Sequence, residues 1–254
     1  MTAPLTAFVW RQAKLVARFD DTATRGEAGQ ISPGTPASSA NLPDVRENEL
    51  RCACAQYGIH PPVFLDYLDG QLTIVHQGQA VGKLVRLIRQ IRPQVVITFG
   101  PDGIYGHYDH IAVHRWATIA VRLAADPECF PEIPGQPCDP HQVSKLYYRA
   151  LTQEQLAEMG GAGRPAVMMD GVPFPFVARR DQEIGGIIDV SAYADQKLAG
   201  IRCHRSQLAP DHPYLVDPDA ALASAFFVSE AYVLALSTVG EADTVEDDLF
   251  RGIA

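Results

Sequence analysis

The sequence predicts an α/β fold: a Rossmann-like, mostly parallel sheet with helices on both faces. Three observations carry that expectation. Helical-period runs alternate with short β-branched runs along the chain. The run "QVVITF" (94–99) is apolar without alternation, as suits a central parallel strand covered on both faces. A glycine-rich turn then opens directly into another helical run, the usual place for a ligand crevice in such sheets. At 254 residues, 47% hydrophobic and 20% charged, the chain has an ordinary globular composition and can bury a sizeable core.

The elements follow in order. "AGQISPGTPASSANLP" (28–43) is a turn-rich loop. It feeds a helix with Pro43 at its first position, Leu50, Ala53, Cys54 and Tyr57 at helical spacing, and Gly58 as its stop. "PVFLDY" (62–67) reads as a short strand. Val81, Leu84, Val85, Ile88 and Ile91 form one face of the next helix, which Pro93 ends. After the expected strand at 95–99, Ala112, Trp116, Ile119 and Leu123 make the apolar stripe of a further helix. "SKLYYRA" (144–150) reads as a strand, "SAYADQKLAGIRCHRSQ" (191–207) as a helix capped by Ser191, and "AYVLALS" (231–237) as apolar but ambiguous.

Charge and cysteine content exclude several classes. A net charge of −9 with no Lys/Arg run leaves no nucleic-acid footprint. No apolar run approaches the roughly 18 residues of a membrane span. The five cysteines (Cys52, Cys54, Cys129, Cys138, Cys203) form no even set and no zinc-knuckle spacing, so they are expected as reduced, mostly buried thiols of a cytoplasmic protein. Arg11, Lys14 and Arg18 precede any acid, but the segment lacks serine and a clear cleavage site, so no targeting role is assigned.

The chemistry concentrates in "GPDGIYGHYDHIAVHRW" (100–116). His107, Asp109 and His110 fall where a loop becomes a helix, and Gly100, Gly103 and Gly106 let the backbone approach a ligand closely. A neutral imidazole is a zinc ligand, a second one serves as general acid, and an aspartate fixes a tautomer. His114, one turn on, reads as a packing or hydrogen-bonding residue.

"GIYGHYDHIAVH" resembles the second signature of the LmbE/PIG-L family of zinc-dependent N-deacetylases, which act on N-acetylglucosaminyl conjugates such as the mycothiol precursor. "TRGEAGQ" (24–30), "VRENELRCACAQYGI" (45–59), "FLDYLDG" (64–70) and "KLAGIRCHRSQ" (197–207) match in family order, so the resemblance covers about residues 24–208. It implies a Rossmann-like fold and zinc-water attack on an N-acetyl amide of a small amino-sugar conjugate. By position it implies that His110 ligates zinc. His107 would protonate the leaving amine or stabilise the oxyanion, Asp109 would orient it, and Tyr105 would meet the oxyanion. Arg25, Asp66 and Asp69 would border the sugar pocket.

The family's other half-site, a His-Pro-Asp-Asp motif after the first strand, supplies two further ligands and the aspartate base. It has no counterpart here: no histidine precedes His60, and "MTAPLTAFVWRQAKLVARFDDTA" is an atypical N-terminal segment (1–23) ahead of a single expected domain (24–254). The match begins abruptly at Thr24, the pattern of a start that is misassigned or out of frame relative to a normal relative, with the first strand lost or altered. "HPP" (60–62) lacks the aspartates, and "DHPYLVDPD" (211–219) reads as a Pro-rich polar loop. The expectation is therefore a weak, incomplete zinc site, with Asp20, Asp21 and His212 as the first substitutes to consider, and impaired turnover. The alternative is a non-catalytic sugar-binding or interaction protein. A nucleotide-binding Rossmann protein fits worse, because no G-x-G-x-x-G follows a strand.

Overall fold

A computed structural model describes residues 21–130, 139–160, 165–169, 171–240 and 244–253. Strand β1 (Asp21–Thr22) leads through the turn-rich loop to helix α1 (Leu42–Tyr57). Pro43 lies in its first turn, and Gly58 closes it at φ 63°, donating to the carbonyls of Ala55 and Cys54. After β2 (Val63–Phe64) comes α2 (Gln77–Ile91), which buries Ala80, Val81, Val85 and Ile88. Arg92 turns left-handed at φ 54°, ahead of Pro93. Then follow β3 (Val95–Phe99), a kinked turn α3 (Gly103–Gly106) and α4 (Tyr108–Leu123). The facing stripes of α2 and α4 meet in the main core, where Val81, Val85, Trp116, Ala120 and Leu146 are buried together.

The chain continues through β4 (Lys145–Ala150), α5 (Gln153–Gly160), β5 (Ala166–Met169), β6 (Val172–Pro175), β7 (Gly186–Asp189) and α6 (Ala194–Cys203). Three short helices, α7 (Pro213–Val216), α8 (Pro218–Ala223) and α9 (Ala225–Val228), lead into β8 (Ser229–Ser237). The ambiguous run at 231–237 is thus a strand.

The α/β class is the expected one, with two corrections to the sheet. The four-stranded sheet has the order β3-β4-β8-β7. β3 and β4 pair in parallel, with Val95 opposite Lys145 and Phe99 opposite Arg149, and β1 pairs with β2 in parallel. β8, however, runs antiparallel to both β4 and β7. Apolar periodicity reports burial and not direction, and a parallel sheet commonly accepts antiparallel strands. The second correction concerns β3, which is half-buried and lies at the edge of this sheet among the described strands. Its two faces are nevertheless packed: Val96 against the α2–α4 core, Val95 and Ile97 against Tyr147, Ile188 and Tyr232. The missing alternation reported covered faces and said nothing of a covered edge.

Two further expectations change. The helix read over 191–207 divides into a 3-10 turn (Ser191–Tyr193), α6 and a second 3-10 turn (Arg205–Gln207). Ser191 does not cap α6; its N–H donates to Asp189 Oδ1 at 2.9 Å. The cysteines are not all reduced: Cys52 of α1 and Cys203 of α6 form a disulfide across 151 positions, their Cα atoms 5.9 Å apart. Parity and local spacing cannot reveal such a pair. The helices it joins pack so closely that a Cβ at Gly200 would lie 1.9 Å from Tyr57 Cζ.

Candidate active site

The site grows from the carboxyl end of β3. Asp102 Oδ1 accepts the Ile104 N–H at 3.2 Å, and Arg179 holds the same carboxylate at 2.7 Å. Gly103, Ile104 and Gly106 all have positive φ (60°, 72° and 82°). A β-branched residue in that region is strained, and Ile104 is held there by full burial and by the Val177 N–H on its carbonyl at 3.0 Å. The kink brings Tyr105, His107 and His110 together: ring centroids are 5.9 Å for Tyr105–His107, 5.1 Å for Tyr105–His110 and 4.7 Å for His107–His110.

The two imidazoles are held in opposite tautomers. His107 caps α4, and its Nδ1 accepts the Asp109 N–H at 3.1 Å, which leaves the proton of the neutral ring on Nε2. His110 Nδ1 donates to the Gly103 carbonyl at 3.1 Å, which leaves a lone pair on Nε2. The first therefore offers a proton and the second a ligating nitrogen. His110 lies flat on Phe99, 4.0 Å between centroids and 7° between planes. Burial, with His107 beside it, pushes its pKa down to about 4, so it is neutral at physiological pH.

Tyr105 is 3% exposed, and its hydroxyl has no hydrogen-bond partner among the described residues. Burial, then the charges of Asp69 and Asp109, raises its pKa and keeps the phenol protonated. His114 bonds the Phe99 carbonyl at 2.9 Å and packs edge-on to Tyr148, a packing role as expected.

Asp109 orients His107 through its backbone N–H, and its carboxylate has separate work. Oδ2 accepts the Gly70 N–H at 2.7 Å and Oδ1 the Leu72 N–H at 3.1 Å, pinning the "FLDYLDG" turn to the start of α4. Asp69, in that turn, accepts from the Ala28 N–H at 3.2 Å and Thr24 Oγ1 at 3.4 Å, while its own N–H donates to Glu27 Oε1 at 3.0 Å. Burial, then Asp109 and Glu27, raises the Asp69 pKa. Arg25 lies at the rim, with Nε on Glu47 and Nη1 on Asp66, each at 2.6 Å, over the Phe64 ring at 4.5 Å. Three motifs far apart in sequence are thus tied together by hydrogen bonds.

Sequence reasoning missed Glu27, Arg46 and Glu47. Buried Arg46 bonds the Gly26 and Gln30 carbonyls and shapes the "TRGEAGQ" loop from beneath. All three lie inside quoted motifs, but their partners are up to 42 positions away, beyond any local spacing.

Among the described residues, no group of three or more His, Cys, Asp or Glu side chains is placed to hold a metal ion. His212 caps α7, its Nδ1 accepting the Tyr214 N–H at 3.3 Å. Asp21 sits in β1, and Asp20 lies outside the described residues. Asp20 is also the only His, Cys, Asp or Glu among residues 1–20. The described residues therefore fit one imidazole anchor and do not compose a three-ligand zinc site.

The end of β3 thus carries, on an α/β fold, two imidazoles of opposite tautomer, an unmatched phenol and an overlying turn tied down by carboxylates. The family model for PIG-L, GlcNAc-PI de-N-acetylase, matches residues 21–121. The chain is 32% identical to a 1D-myo-inositol 2-acetamido-2-deoxy-alpha-D-glucopyranoside deacetylase of Streptomyces avermitilis over 263 residues, covering 92% of this chain and 86% of that protein. The chain belongs to the PIG-L family. Among solved structures, N,N'-diacetylchitobiose deacetylase from Pyrococcus horikoshii superposes with a TM-score of 0.61 at 17% identity, over 86% of this chain and 73% of that one. GalB, the 4-carboxy-2-hydroxymuconate hydratase of Pseudomonas putida KT2440, superposes at 0.58 and 18% identity, over 90% and 88%. A deacetylase and a hydratase share this fold, so the fold alone does not choose the reaction.

Proposed function

We propose that the chain is an N-deacetylase-type hydrolase of an amino-sugar conjugate of the N-acetylglucosamine type, with turnover held low by an incomplete metal set. The unmatched, protonated Tyr105 hydroxyl beside His107 carries this reading. A buried hydroxyl without a partner calls for an acceptor, and the amide oxygen of an N-acetyl group is one. Tyr105 would donate to that oxygen as charge develops on it. His107, with its proton on Nε2, would donate to the departing nitrogen. Arg25, Asp66 and Asp69 would take sugar hydroxyls. In the family chemistry zinc supplies a bound water of lowered pKa. Here His110 Nε2 is the ligating atom on offer, and no step is assigned to the ion.

A non-catalytic sugar-binding role is the second reading, favoured by the lack of a three-ligand group among the described residues. The test is amine release from N-acetylglucosaminyl-inositol, with and without added zinc, alongside calorimetric binding of the same compound. Slow release that Tyr105→Phe lowers by about 10²-fold supports hydrolysis. Binding without release establishes the second reading, and neither result rejects both. No described helix is long and apolar enough to cross a membrane. The same reading places the protein in the cytoplasm, where the Cys52–Cys203 bond would face a reducing pool.

A further inference from the structure

Each cation around the site has at least one partner. Arg25 gives Nε to Glu47 and Nη1 to Asp66, which leaves Nη2 for a ligand. Arg51 places Nε and Nη2 on the other oxygen of Glu47, at 3.0 and 2.7 Å. Glu47 thus bridges two guanidinium groups, and both stand over the Phe64 ring, at 4.5 and 5.9 Å. Arg46 is turned to backbone carbonyls, Lys83 Nζ to the Leu65 carbonyl at 2.6 Å, and Arg179 to Asp102 at 2.7 Å. The carboxylates are less fully matched: Asp69 and Asp109 accept only backbone N–H groups and one threonine hydroxyl. Among the described residues, then, Glu47 leaves Arg25 Nη2 and Arg51 Nη1 as the open nitrogens of the two guanidinium groups it bridges, with Asp66 the further carboxylate on Arg25.

A phosphate needs a cation whose fork is open, whereas a sugar hydroxyl needs one donor and one acceptor set side by side. Arg25 Nη2 beside the exposed Asp66 carboxylate matches the hydroxyl. We propose that Glu47 is the specificity-determining residue of this rim: by occupying Arg25 and Arg51 together, it makes the cleft accept an uncharged glycoside and turn away a phosphorylated one. Glu47 acts through Arg25 and need not touch the sugar. Its removal would leave two guanidinium groups over Phe64 with Asp66 as the remaining carboxylate, a site for an anion. This inference rests on the amino-sugar reading of the cleft.

The test is titration calorimetry on the full chain with methyl N-acetyl-α-D-glucosaminide and with the 1- and 6-phosphates of N-acetylglucosamine. For the unaltered protein at low salt, the neutral glycoside should bind about tenfold more tightly than either phosphate, and the gap should narrow as salt is added. Glu47→Gln should reverse the order, with at least one phosphate gaining about tenfold. Arg25→Gln in the Glu47→Gln background should abolish that gain, an outcome that a merely structural role for Glu47 does not produce. An unaltered chain that binds a phosphate as tightly as the neutral sugar overturns the inference while keeping the amino-sugar reading. So does a folded Glu47→Gln chain with unchanged selectivity. Failure to bind any of the three sugars overturns both. The comparison on the unaltered protein stands whether or not the variants fold.

Discussion

Tyr105 buries a hydroxyl with no partner among the described residues, and an unmatched buried hydroxyl costs about 1–3 kcal/mol. Tyr105→Phe should therefore stabilise the ligand-free protein by about 1 kcal/mol in urea unfolding while lowering amine release. A variant less stable than its parent would show the hydroxyl to be satisfied in solution. His204 makes a second residue-scale case. It is 5% exposed, and burial, with Arg46 nearby, depresses its pKa from 6.5 to about 4. Between those values the unfolded chain binds more protons than the folded one, so stability is complete above pH 6.5 and falls as pH drops towards 4. The loss from His204 is on the order of 3 kcal/mol, and His110 acts in the same direction. Unfolding midpoints between pH 4 and 7 should show the slope, and His204→Gln should flatten it by about half. An unchanged slope would place the titration elsewhere.

At the scale of elements, α1 and α6 are bound by the Cys52–Cys203 disulfide and by the close approach of Gly200 to Tyr57. Gly200→Ala should cost about 1–3 kcal/mol by forcing the helices apart, read from the denaturation midpoint. Reduction should cost about 2–5 kcal/mol, and a midpoint indifferent to dithiothreitol would mean that the bond does not form in solution. These elements also show what the sequence could disclose. Pro43, Gly58 and Pro93 mark helix ends by backbone rules that operate within a few residues, and each helix end falls where those rules put it. The stripes of α2 and α4 were legible for the same reason. The pairing of β3, the direction of β8 and the disulfide depend on partners 50 to 151 positions away, which no local pattern encodes. In the cleft, His107 and His110 were visible as a motif, but their opposite tautomers follow from the carbonyl of Gly103 and the amide of Asp109, which only the kinked backbone sets in place.

For the whole molecule, the lack of a three-ligand group among the described residues has a direct readout. After dialysis against a mild chelator, the chain should retain far less than one zinc per molecule. Near-stoichiometric zinc would point to substitute ligands, with Asp20, Asp21 and His212 the first to test by substitution. The same three-dimensional closure has a bearing on how the protein is made. The rim loop at 24–30 rests on α1 through Arg46, and α1 is fastened to the 204–207 turn by the Glu49 carboxylate, which holds Ser206 across 157 positions. A ribosome that has released every candidate site residue, up to His110, has therefore not yet released the turn that steadies the 24–30 loop through α1. During synthesis the nascent chain carries these groups for nearly one hundred further residues without the contact that fastens α1 to the 204–207 turn. The cleft is finished late, so its vulnerability to chaperone failure and proteases lies in the interval before residue 207 emerges.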